Sequence, residues 1–135
     1  MSKRAAPEPA HRFLFELPYG PEEVDGESWL SGRGRMELRV PLQRDGLGVD
    51  AVLSFDWVRA YKYTVEPLCL PFQSQAYNKL VEVENSIWIS ELIRDRRERN
   101  VAHLDLSHFL IYVAEEGCYE FAAETWQYQE QSHGH

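Results

Sequence analysis

Cysteine is nearly absent from this sequence. The two that occur among 135 residues, Cys69 and Cys118, lie far apart and form no Cys-x-x-Cys pair. That excludes a disulfide framework and a cysteine zinc site, and two buried thiols in a reducing compartment are the simplest account. Long hydrophobic runs are missing too. No apolar stretch approaches the roughly 20 residues that span a bilayer. The opening segment, 1–10, is polar, carries Pro7 and Pro9 and has no apolar leader region, so a cytoplasmic protein is expected. Basic charge is also scarce: 14 Lys and Arg against 22 Asp and Glu leave a formal net charge of −8. An acidic surface repels phosphate backbones and anionic lipid, so neither nucleic acid nor membrane is an expected partner, whereas a basic protein is.

What is present is enough to build a core. Hydrophobic residues make up 44 % of the chain and aromatics 13 %, and a chain of this length buries about two-thirds of its unfolded surface. One domain over 11–128 is expected, with flexible tails at 1–10 and 129–135 that hold almost nothing to bury. Within it, Met36, Leu38, Val40 and Leu42 alternate with Arg35, Glu37, Arg39 and Pro41, the period of a half-buried antiparallel strand. Arg44-Asp45-Gly46 supplies hairpin chemistry. The returning strand runs from about Gly48 to Tyr63, with a bend or bulge near Val58 because so long a straight strand is uncommon. A short strand at Leu80–Glu84 precedes Asn85-Ser86, either of which can cap a helix. The stripe of Trp88, Ile89, Leu92 and Ile93 marks that helix, and Arg94, Arg96, Arg97 and Arg99 suit its C-terminal dipole. These elements predict an α+β fold: an antiparallel sheet of about five to six strands packed with one main helix.

The closing hairpin carries the candidate site. Ser107–Ala114 and Cys118–Tyr128 read as two strands around Glu115-Glu116-Gly117. A three-residue loop sets Val113 opposite Tyr119, Ile111 opposite Phe121 and Phe109 opposite Ala123, one apolar face. A two-residue loop would bury Glu120 and Glu124 among them, which desolvation opposes. The outer face then pairs Tyr112 with Glu120 and His108 with Glu124, with Trp126 beyond. A histidine beside a carboxylate can act as a general base, which makes His108, Glu124 and Glu120 the catalytic candidates. Tyr112 and Trp126 are the aromatics that anchor interfaces, and Glu115 and Glu116 add acidic contacts at the turn. His103-x-Asp105-x-x-His108 cannot converge on one strand face, and the spacing of known metal motifs is absent, so no metal or cofactor is expected. Cys118 lies several residue pairs from His108, which removes a thiolate–imidazole pair within the hairpin. Gly32-x-Gly34 and Gly46-x-Gly48 are turns, since no Lys-Ser/Thr or helix start follows them.

The stretch from His108 to Trp126, with Leu80–Trp88 before it, resembles a group of small bacterial proteins with no activity to transfer. The resemblance covers the C-terminal half and implies a fold only. Small size and acidity are also shared with toxin-immunity proteins, an analogy of character and not of motif. The function expected on these grounds is non-catalytic protein binding through an acidic surface, of which immunity proteins are one example. The alternative is a small enzyme or ligand-binding protein with its site on the outer face of the C-terminal hairpin, which requires a concavity over that face.

Overall fold

The computed structural model describes residues 7–94 and 105–132. Nine strands form two antiparallel sheets: β1 (Ala10–Glu16), β2 (Trp29–Gly32), β3 (Met36–Arg44), β4 (Leu47–Asp56), β5 (Ala60–Val65), β6 (Lys79–Glu84), β7 (Ser107–Val113), β8 (Gly117–Ala123) and β9 (Thr125–Ser132). The five-stranded sheet runs β1-β6-β7-β8-β5 and the four-stranded sheet β2-β3-β4-β9. A single-turn helix, α1 (Pro71–Ser74), and one longer helix, α2 (Ile87–Arg94), complete the described elements besides two 3₁₀ turns. The protein is therefore mainly β. The expected single sheet packed with a main helix is corrected: the core lies between two sheets, and α2 sits on the outer side of one of them.

Two breaks produce this arrangement. The strand expected over 48–63 stops at Asp56, Trp57 takes a positive φ of 55°, and the chain enters the other sheet as β5. The strand expected over 118–128 likewise divides at Glu124. Its first part, β8, pairs with β7 and β5, and its second part, β9, pairs with β4. The breaks face one another, since the Glu124 N–H donates to the Asp56 carbonyl at 3.0 Å. Residues 129–132, expected to be tail, belong to β9 and pair with Val49–Val52. The remaining tail segments 1–6 and 133–135, together with His103, Arg96, Arg97 and Arg99, lie outside the described residues.

The inner faces follow the alternation in the sequence. Leu38, Val40 and Leu42 of β3, Leu53 and Phe55 of β4, and Phe109, Ile111 and Phe121 of the hairpin fill the space between the sheets. Phe55 stacks on Phe121 at 4.0 Å between ring centroids, a contact that joins the layers and adds to their area burial. Pro41 occurs beyond the stretch of β3 that β2 covers, where its missing N–H removes no ladder bond. A second, smaller apolar cluster lies on the outer face of the five-stranded sheet, where Ala76 and Phe72 cover Val81, Val83, Leu110, Tyr112 and Cys118. The site is built beside that cluster.

In the hairpin, Val113 pairs with Gly117, Ile111 with Tyr119 and Phe109 with Phe121. Compared with the expected register this is a slip of two residues, so both faces keep their side chains but every partner changes. The turn is Ala114-Glu115-Glu116, with Glu115 in the left-handed region at φ 65° and Gly117 at 142° opening the strand. A side chain at Gly117 would place its Cβ 2.1 Å from the Thr64 carbonyl oxygen of β5. Glycine is thus needed for strand approach as well as for the turn.

Candidate functional site

The site begins with parity. On β7, β8 and β5 the outward positions include His108, Glu120 and Lys62, with Lys62 directly opposite Glu120 and His108 one diagonal away. The chain then returns across this face twice. α1 brings Gln73 over Glu120, and Ser86, just before α2, lies above His108. Each return has its own local logic. Pro71 favours the first turn of α1, and the Ser86 hydroxyl oxygen accepts the Ile89 N–H at 3.1 Å, the helix cap expected from the sequence.

These residues form one buried hydrogen-bonded chain. Ser86 Oγ lies 2.7 Å from His108 Nδ1, and His108 Nε2 lies 2.8 Å from Glu120 Oε1. An ionised carboxylate can only accept, so Nε2 carries the proton and donates to Glu120. In the neutral ring, Nδ1 then accepts from the Ser86 hydroxyl. Glu120 Oε2 takes a third bond from the Gln73 amide at 3.1 Å, and Lys62 Nζ stands 3.9 Å away. Exposure is 9 % at Ser86, 6 % at His108 and 4 % at Glu120. Burial alone would raise the Glu120 carboxyl. The His108 hydrogen bond and the Lys62 charge outweigh it and hold the group below the usual carboxylate value.

The chain forms one wall of a cavity of about 530 Å³, within the range of small-molecule sites. Leu70, Phe72, Val83, Ile87 and Trp88 supply its apolar lining. Trp88 meets the His108 ring edge-on at 4.9 Å. Lys62 lies over the Trp88 ring at 4.5 Å, a cation–π contact at the cavity mouth.

The structure sorts the expected site residues. His108 and Glu120 come together as a pair, whereas Glu124 does not join them: it occupies the bend between β8 and β9, and Ala122 stands opposite His108. Tyr112 is on the outer face but buried, 7 % exposed beneath Ala76 and Phe72, so it is no anchor for a partner. Trp126 belongs to the other sheet and packs its ring 5.6 Å from Phe15, because the division at Glu124 carried it away from the hairpin. Glu115 is exposed. Glu116 works within the fold, accepting from Ser28 N–H at 3.0 Å, Ser28 Oγ at 2.7 Å and Tyr119 Oη at 3.0 Å. Cys118 is enclosed in the outer apolar cluster, and burial pushes its thiol far up. Among the described residues no group of His, Cys, Asp and Glu is placed to hold a metal ion, and no helix is long and apolar enough to cross a membrane.

Lys62, Gln73 and Trp88 were not anticipated as site residues, and Ser86 was anticipated only as a cap. The one signal for them is Lys62, a charge between Tyr61 and Tyr63 that fits a polar outward position. No family model matches the chain, and neither curated proteins nor solved structures yield a match.

Proposed function

We propose that the chain binds a small, largely apolar molecule carrying one hydrogen-bonding group, in the cavity walled by Ser86, His108 and Glu120. The observation that carries this reading is that a fully hydrogen-bonded polar chain is buried at a cavity wall. Capping α2 needs only the Ser86 oxygen and gives no reason to bury an imidazole and a carboxylate behind it. Replacing such a buried pair by apolar residues is often neutral or stabilising, so stability alone is a poor account of it. Apolar walls with a few fixed polar groups are the usual composition of a ligand site.

Serine, histidine and carboxylate in line also invite a nucleophilic reading. Two features favour binding instead. The Ser86 oxygen is committed to the Ile89 N–H as the cap of α2. Ser86 is also only 9 % exposed, so little of its hydroxyl is open to a substrate carbonyl. For protein binding through an acidic surface, Tyr112 is buried and Trp126 lies on the other sheet, so the two do not form one patch on the hairpin.

The test is a thermal-shift screen of aromatic and aliphatic fragments against the protein and its Ile87→Trp variant. Ile87 is 61 % exposed at the rim, so the larger ring narrows the cavity without disturbing the core. Hits that stabilise the parent by several degrees and lose that effect in the variant are expected. Hits indifferent to the variant would place binding elsewhere.

A further inference from the structure

Among the described residues, the β5 edge of the five-stranded sheet is a second open surface, apart from the cavity. β5 closes that sheet, with β8 on its one side. The Glu66 N–H donates to the Glu116 carbonyl at 2.9 Å. Ladder alternation from that bond turns the amides of Tyr61, Tyr63 and Val65 outward. Their side chains are 56 %, 47 % and 45 % exposed, respectively. Natural edges are commonly blunted by charge, proline or a bulge, yet these alternate positions are aromatic or apolar.

Carboxylates gather at the C-terminal end of this edge. The Ser28–Glu116 bonds draw the acidic 22–34 segment onto the hairpin turn, so that Glu27, Glu115 and Glu116 line a concavity of about 340 Å³. The Tyr63 hydroxyl donates to the Glu116 carbonyl at 2.6 Å, which ties the edge to that turn. Among the described residues none of Glu27, Glu66, Glu115 and Glu116 forms an ion pair. The nearby cations look elsewhere: Lys62 is turned to Glu120 on the opposite face, and Arg59 lies over Trp57.

We infer that this edge docks an extended basic segment of another protein, which adds as a strand beside β5. Main-chain bonds to Tyr61, Tyr63 and Val65 would supply affinity, and Lys or Arg side chains would meet the carboxylates and the tyrosine faces. This is a basic partner of the kind net charge suggests, placed at an edge that the hairpin aromatics do not share.

The test uses the full chain, isotope-labelled, and an acetylated eight-residue peptide of alternating lysine and valine, with a glutamate–valine peptide as control. Amide shifts are expected in 60–65 and in the 114–116 turn. Affinity should weaken about tenfold between roughly 50 and 300 mM salt, as screening of exposed charge requires. It should weaken about tenfold again in Glu27→Lys/Glu115→Lys, since like charges oppose docking. Tyr63→Pro, which removes an outward donor but no β8 bond, should abolish binding while Tyr63→Ser retains most of it. The inference is overturned by shifts that spare β5, by equal binding of the acidic control, or by affinity unmoved by salt and charge reversal. It is also overturned by β5 shifts that follow the protein's own concentration, because a second copy would then occupy the edge.

Discussion

His11 and Glu120 sit on the same outer face, and the fold moves both of their ionisations downward. For His11 the first cause is burial. Its ring lies 4.3 Å from Phe72 and its Nε2 is buried with no hydrogen-bond partner, so the charged form is disfavoured despite a backbone bond near Phe72 that works the other way. A folded value below the ordinary 6.5 means the unfolded chain binds more protons in the window just under 6.5. Stability is then present above that pH and declines as pH falls through the folded value. Glu120 acts in the same direction lower down, where its contribution is lost as pH drops through a value below the ordinary 4.5. The acid limb of stability should therefore have two parts. His11→Phe keeps the ring contact with Phe72 and should remove the upper part alone, so that urea midpoints at pH 7 and 5.5 converge while the loss below pH 4.5 persists. Midpoints that still diverge in the upper window would assign that part to another group.

At the scale of elements, the informative positions are those where strands divide or slip. Parity in the hairpin was legible: Phe109, Ile111 and Phe121 face inward and His108 and Glu120 outward, as alternation requires. The register was not, because a slip of two residues preserves both faces and the desolvation argument is blind to it. What decides it is the approach of β5 to Gly117, a long-range contact. Near Trp57 a bend was legible from strand length, expected at Val58, but its change of sheet was not. At Glu124 the core-facing parity switches from Phe121 and Ala123 to Trp126 and Tyr128, a break that the reading of one continuous strand passed over. The Ser86 cap could be read locally, but its bond to His108 depends on where α2 lands. Gly117→Ala tests the register. The added Cβ would meet the Thr64 carbonyl at 2.1 Å in a backbone conformation that disfavours side chains. A loss of about 3 kcal/mol or more is expected in urea unfolding, with exchange protection reduced first in 60–65. At Gly46, where a Cβ meets nothing within 4 Å, alanine should cost only about 1 kcal/mol.

For the whole molecule, the two sheets bury one shared core and leave the outer face of the five-stranded sheet for α1 and α2 to roof over. Among the described residues that roof is incomplete, which leaves the cavity: α1 covers the Tyr112 side and α2 the His108 side, with Lys62 between them. A ligand held there bridges both roofing segments and the sheet, so its binding energy should add to the stability of the entire fold by linkage, about 2.7 kcal/mol at a hundredfold excess over Kd. The direct measurement is fluorine NMR of the protein carrying 5-fluorotryptophan, during titration with fragments from the thermal screen. Its four tryptophans occupy distinct places: Trp29 and Trp57 are exposed, Trp126 packs on Phe15, and Trp88 lines the cavity. Saturable movement of the Trp88 resonance alone, lost in Ile87→Trp, is the predicted result. A Trp88 signal that no stabilising fragment moves, or movement confined to Trp29 or Trp57, would contradict the assignment of this cavity as the binding site.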